Sequence, residues 1–228
     1  MGLTLEKVVP WGRSLSEYQR MFALTPADLQ RRIIDCGGGP ASFNAEMTEQ
    51  GYSVVSCDPI YQFSAAAIAQ RIDETYPIIL SGVAANLDSY CWQDITNPTQ
   101  LGEVRMAAMR QFLADFSTEF TAGRYCAAAL PTLPFPDKAF DLALCSHLLF
   151  TYSDQLSLEF HRAAITEMCR VAQEVRIFPL LKISGEPSPH LPILQRELIQ
   201  QGYSAIAQPV PYEFQKNGNQ LLQIQPNF

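Results

Sequence analysis

Two acids and a run of glycines carry the chemistry that stands out first in this chain. The segment RRIIDCGGGPASF, 31–43, reads as a buried strand over Ile33 and Ile34 that ends on Asp35, followed by Gly37, Gly38 and Gly39 and then by residues able to start a helix. Glycines at a strand-to-helix turn let the backbone fold tightly and approach a ligand with no Cβ in the way. A second strand, SVVSCDPIY, places Asp58 at its C-terminal end, 21 residues beyond Gly37. A carboxylate at that distance is placed to bind the two hydroxyls of a ribose. Together these features predict a ligand that contains a nucleoside.

The glycine spacing and Asp35 narrow the choice of nucleoside. A dinucleotide fingerprint takes glycines as G-x-G-x-x-G, and counted from Gly37 and Gly39 the third falls on Ser42. The Asp35 carboxylate would also face a pyrophosphate at close range, where like charges repel. A cofactor with a cationic sulfonium and a free amino group instead gains from a carboxylate there. The run Asp35-Cys36-Gly37-Gly38-Gly39-Pro40-Ala41 resembles the first motif of the class I S-adenosylmethionine-dependent methyltransferases, acid-x-Gly-x-Gly-x-Gly, with alanine at the last glycine position. The segment LPTLPFPDKAFDLALCSHLLFTY, 130–152, resembles the fourth motif region of that family, a Leu-Pro-Phe loop ahead of a Phe-Asp strand. With Asp58 between them, three motifs stand in the family's order.

The resemblance implies S-adenosyl-L-methionine as cofactor, held by Asp35, Gly37, Gly38, Gly39 and Asp58, with Pro59 and Ile60 against the adenine. Many relatives carry an acid just before the Leu-Pro-Phe loop to bind the adenine amino group. Ala129 stands at that position here, so backbone groups of Ala129 and Leu130 are expected at this edge. Ser146 and His147 follow the strand 140–145 and fall beside the cofactor crevice. His147 has two readings: a general base that takes a proton from the acceptor, or a satisfied polar residue at a strand end. Tyr152 and Asp154 either line the pocket or cap the next helix.

In the family the chain before the first strand commonly folds over the cofactor's methionine end. Arg13 would then pair with the methionine carboxylate through its planar fork, while Tyr18, Met21 and Phe22 close the pocket. The competing reading is an amphipathic helix docked on the sheet with Arg13 solvated. The activity implied is methyl transfer to a small-molecule acceptor. The alternatives are a catalytically silent protein that keeps the cofactor pocket and, third, a dinucleotide oxidoreductase.

Composition agrees with an enzyme of this kind. The chain has 228 residues, 47% of them apolar, enough to bury a full core as a single domain over 1–228. Its net charge is −7 with four lysines, and no basic stripe of the sort that grips polyphosphate is visible, so nucleic acid is not the expected partner. No apolar run is long enough to span a bilayer. The N-terminal MGLTLEKVVP lacks the apolar stretch of a secretion signal, and Glu6 stands where a myristoylation motif takes Ser or Thr, so a cytoplasmic protein is expected. Six cysteines show no C-x-x-C pair, which leaves no metal spacing and suits reduced, buried thiols.

The elements that must position these residues alternate. Strands are expected over 32–35, 53–57, 124–128, 140–145, 174–180, 204–210 and 220–225. Helices are expected over 14–23, 41–50, 65–75, 98–121, 156–172 and 191–201. This order predicts an α/β doubly wound, Rossmann-like sheet, mostly parallel with an antiparallel C-terminal edge and helices on both faces. Residues 1–30 form an N-terminal arm. The connection 59–123 is far longer than a simple crossover needs. Within it Leu101, Val104, Ala108, Phe112, Phe116 and Phe120 recur at three- and four-residue spacing. That insertion either packs on the core or caps the substrate pocket.

Overall fold

The computed structural model describes residues 9–116 and 123–227. Phe120 and the first eight residues, on which the end of the insertion's second helix and the N-terminal expectations rest, lie outside them. Among the described residues seven strands form one sheet: β1 (Ile33–Cys36), β2 (Val54–Cys57), β3 (Tyr125–Cys126), β4 (Phe140–Ser146), β5 (Ala172–Phe178), β6 (Tyr203–Pro209) and β7 (Gln220–Pro226). Their order is β3-β2-β1-β4-β5-β7-β6. The first five run parallel, and β7 lies antiparallel to both β5 and β6. The order reverses between β1 and β4, which is where a doubly wound sheet opens a crevice. Asp35 stands opposite Ser56 of β2 and Leu144 of β4, so the three carboxyl ends finish side by side.

The helices are α1 (Leu15–Met21), α2 (Pro26–Leu29), α3 (Phe43–Glu49), α4 (Ala65–Ala84), α5 (Pro98–Phe116), α6 (Leu158–Val171) and α7 (Leu191–Gln200). β1 is buried at every position, as a parallel strand covered on both faces should be. Side chains alternate along it: Ile34 and Cys36 join Ile165 and Met168 of α6 on one face. Ile33 joins Leu15 and Tyr18 of α1 and Phe43 and Met47 of α3 on the other. Removing a ring such as Phe43 from that second layer would cost about 3–5 kcal/mol.

α1 begins at Ser14, whose side chain accepts from Glu17 N–H while Glu17 reaches back to the Ser14 N–H, a reciprocal cap. Its aromatic face docks on the sheet, with Tyr18 stacked on Phe43 at 4.1 Å. Met21 and Phe22 are fully buried in this layer. They pack between helix and strands and do not close the cavity described below.

Two boundaries in the long connection differ from expectation. α4 continues nine residues past Thr75, through Pro77. A proline inside a helix removes one hydrogen bond and normally ends the run. Here the buried face Ile68, Ile72, Thr75, Ile79 and Val83 carries straight across it at helical spacing. That stripe packs against α5 and the segment before it, so tertiary burial offsets the lost bond. β3 is only two residues long, because beyond Cys126 the chain turns to pair Ala129 with Thr132. In α5 the buried stripe is Leu101, Arg105, Ala108, Met109 and Phe112 in place of one through Val104. Among the described residues no helix is long and apolar enough to cross a membrane.

Candidate functional site

A cavity of about 830 Å³ opens at the carboxyl ends of β1, β2 and β4. The structure brings nearly every predicted site residue to its wall: Arg13 and Tyr18, the glycine turn, Asp58 to Ile60, Ala129 and Leu130, Ser146, His147 and Tyr152. Asp35 is the exception. It is buried beneath the turn, where its carboxylate accepts from the Tyr18 hydroxyl at 3.1 Å and the Ser56 hydroxyl at 3.2 Å. Burial pushes its pKa up to about 7, against the pull of those two hydrogen bonds.

The three glycines are needed for separate reasons. Gly37 and Gly39 have φ of +73° and +54°, a left-handed backbone that favours glycine. Gly38 has no room: a Cβ there would sit 2.4 Å from Asp35 Oδ2. A Cβ on Gly39 would meet nothing nearer than Asp58 Oδ2 at 4.0 Å, so this stretch of backbone is bare on that side. The Tyr61 hydroxyl donates to the Gly39 carbonyl at 2.8 Å and steadies the turn.

Asp58 joins this turn to the end of β2. Its Oδ2 accepts from Gly39 N–H at 3.0 Å and its Oδ1 from Ile60 N–H at 2.9 Å. Burial raises its pKa, and the two backbone bonds oppose that rise. An ionised carboxylate offers about four lone-pair sites, so two remain for further donors. Pro59 and Ile60 follow in a short 3-10 turn that Asp58 caps.

At the end of β4, His147 has φ +50°, a strained conformation for a residue with a side chain. Three contacts hold it. Its N–H donates to the Phe178 carbonyl at 2.7 Å, its ring meets Phe178 edge-on at 5.3 Å, and Nδ1 lies 2.9 Å from Ser146 Oγ. Burial, then Arg13 and Arg105, push its pKa well below the ordinary value, so the ring is neutral near pH 7. Tyr152 lines the cavity with its hydroxyl accepting from Val9 N–H at 3.3 Å. Asp154 turns away to Lys182 at 3.2 Å, and Ser157 caps α6 in its place.

Arg13 is half-buried and, among the described residues, is not paired with an acid. Its Nη1 donates to the Trp11 carbonyl at 3.2 Å, and its buried Nε has no partner. Its main chain is fixed to the start of α3, where Ser42 N–H donates to the Arg13 carbonyl at 3.1 Å. Behind it stands a group that sequence reasoning missed. Arg105 is fully buried, with Nη1 at 2.6 and 2.5 Å from the two Glu17 oxygens and Nη2 at 3.4 Å from the Tyr212 hydroxyl. Leu101, Arg105, Ala108 and Phe112 share one helix face, so an arginine interrupting an apolar stripe was the available signal. Burial and then Arg105 lower the pKa of Arg13. Around this point two arginines, Arg13 and Arg105, stand with one carboxylate, Glu17, which pairs with Arg105, and Arg13 makes no ion pair among the described residues.

The insertion and the loop between β6 and β7 complete the wall. Ile79, Val83, Tyr90 and Leu101 form one apolar cluster, with Trp11 and Phe214 packed on it. Cys91 N–H donates to the Phe214 carbonyl at 2.7 Å, and Lys216 N–H donates to the Ser89 carbonyl at 3.0 Å. Nothing in the local pattern of 210–219 announces this contact.

No family model matches the chain. It is 32% identical over 225 residues to the uncharacterized protein MJ0045 of Methanocaldococcus jannaschii, covering 97% of this chain and 98% of that one. Among solved structures it resembles the mitomycin 7-O-methyltransferase MmcR with a TM-score of 0.50 at 12% identity, over 93% of this chain and 53% of MmcR, which is about half that protein's length. A putative S-adenosyl-L-methionine-dependent methyltransferase from Methanococcus maripaludis aligns with a TM-score of 0.47 at 13% identity, over 94% and 84% of the two chains. The chain thus belongs to the family of the Methanocaldococcus jannaschii protein MJ0045 and has the class I methyltransferase fold.

Proposed function

We propose that this protein binds S-adenosyl-L-methionine and transfers its methyl group to a small-molecule acceptor. The observation that carries this reading is Asp58, bonded across the turn to Gly39, with two lone-pair sites left on the cavity wall. Those sites match the two hydroxyls of a ribose. Gly39 presents bare backbone to the cofactor at the turn that Gly37 and Gly38 shape, and Pro59 and Ile60 give its adenine an apolar face. Ala129 and Leu130 lie at the adenine edge. Arg13 takes the methionine carboxylate, which gives it an ion-pair partner. Asp35 acts beneath the turn, holding Tyr18 and Ser56 in register, and shapes the site without touching the ligand.

When bound, the cofactor supplies a methyl group already activated on a sulfonium. The chain's part is to place the acceptor in line and exclude water. His147 receives the acceptor's proton: with its own proton on Nδ1 and donated to Ser146 Oγ, Nε2 carries the lone pair. Charge is against a nucleic-acid acceptor, since the chain is acidic with net charge −7.

Calorimetry with S-adenosylmethionine and its demethylated product tests the reading directly. Binding of either is the expected result, and binding of a nicotinamide dinucleotide in their place overturns it. His147→Gln should leave cofactor affinity unchanged and lower kcat by about 10²–10⁴-fold with loss of the acid limb of the pH profile. An unchanged kcat in that variant would leave His147 a structural residue at the strand end.

A further inference from the structure

The part of the cavity away from the glycine turn is built for a particular kind of molecule. Its wall is the apolar cluster of Ile79, Val83, Tyr90 and Leu101 with Trp11 and Phe214. Tyr90 and Phe214 stack at 4.9 Å, so flat aromatic faces bound it. Two polar groups on this wall, Tyr212 and Gln215, are already partnered within the chain. The Tyr212 hydroxyl donates to Glu17 Oε1 at 3.0 Å, and the Gln215 amide donates to the carbonyls of Lys182 and Ile183 at 3.3 and 3.0 Å. Against the apolar part of this wall a sugar or a phosphate would lose its hydration uncompensated, at several kcal/mol. A flat apolar ring would gain burial and aromatic contact.

The chamber is also tied across one side. The bonds from Cys91 to Phe214 and from Lys216 to Ser89 tie the insertion to the β6–β7 loop. Polar groups on the cavity wall include Ser146 and His147, at the end of β4, and Thr151, whose Oγ1 has no partner among the described residues. A cavity of about 830 Å³ lies toward the upper end of ligand pockets, roughly 300–1,000 Å³, and has room for a second molecule beside the cofactor.

We infer that the acceptor is a small, flat, largely apolar ring compound with one protic heteroatom, its ring in the chamber of Val83, Leu101 and Phe214 and its protic group at His147. The inference rests on the methyltransferase reading for the word acceptor, while the ligand class rests on the chamber alone. The probe is 7-hydroxycoumarin, titrated by fluorescence and calorimetry into the full chain with and without saturating S-adenosylhomocysteine, against ribose 5-phosphate. The expected result is saturable binding of 7-hydroxycoumarin and at least about 100-fold weaker binding of ribose 5-phosphate.

Val83→Trp fills the chamber and should weaken 7-hydroxycoumarin by about tenfold or more with S-adenosylhomocysteine affinity within about twofold. Phe214→Ser, at a half-buried position, removes one aromatic wall and covers the case in which Val83→Trp does not fold. It should lower affinity for the probe in the same direction. Equal affinity for the two probes, or 7-hydroxycoumarin binding that neither variant alters, overturns the inference. If S-adenosylhomocysteine fails to bind while 7-hydroxycoumarin binds and responds to both variants, the chamber's ligand class stands and the methyltransferase reading falls.

Discussion

The side chain of Asp58 accepts the Gly39 N–H at 3.0 Å, and so the acid at the end of β2 is tied to the glycine turn after β1. The two features that stand apart in the sequence are one device in space. The acid is both the cap that shapes the turn and the group that faces the cavity.

Asp58→Ala should therefore weaken binding of S-adenosylhomocysteine by about 1.5–3 kcal/mol, the value of two charge-assisted hydrogen bonds. Asp58→Asn keeps the shape of the side chain and should lose less. Calorimetry reads both. Unchanged affinity in the alanine variant would take Asp58 out of the site.

Arg13→Ala should lower cofactor affinity by at least about tenfold, with little change in Tm. The reason for the small stability effect is that Arg13 has one backbone hydrogen bond and no acid partner. Truncating the arm cannot answer the same question. Leu15, Glu17 and Tyr18 belong to the buried layer under the sheet, and their removal would strip the fold as well. Retained affinity in Arg13→Ala would make this arginine a packing element.

Glu17→Ala leaves Arg105 buried with its charge unmatched, and should cost about 3–5 kcal/mol in chemical denaturation. The pH dependence of the pair has a definite sign. Burial pushes the Glu17 carboxyl up, but Arg105 and the other groups around it outweigh this and leave its pKa below the ordinary value. Its stabilisation is thus present above the unfolded pKa and is lost as pH falls through the folded one. Wild type should lose stability on acidification with a steeper slope than Glu17→Gln.

Asp35 runs the other way. Burial raises its folded pKa to about 7 from an ordinary value of 3.8. The folded state holds the proton more tightly, so its contribution is complete at low pH and is lost as pH rises through about 7. Asp35→Asn cannot titrate. The difference in unfolding free energy between the variant and wild type should move in favour of the variant as pH rises from 3.8 to about 7, and level off above that. A difference that stays constant across that window would mean the carboxyl is already ionised under the turn.

The sequence by itself determined the order of strands and helices and which residues meet at the glycine turn. Apolar runs such as Ile33–Ile34 and Leu142–Leu144 are local signals, and so are the helix caps and the acid and glycine positions at Asp35, Gly37 to Gly39 and Asp58. Each is set by the pleat, the helical repeat or the steric freedom of a few consecutive residues. Only the tertiary structure decided the rest. It carried α4 through Pro77, because a buried stripe continues on the far side. It moved Asp35 under the turn and held His147 in a left-handed conformation against Phe178. It joined Arg105 to Glu17, 88 residues apart, and brought the β6–β7 loop over the insertion. These are pairings between distant segments. The energy that selects them comes from burying charge and apolar surface together, and no window of local sequence contains both partners.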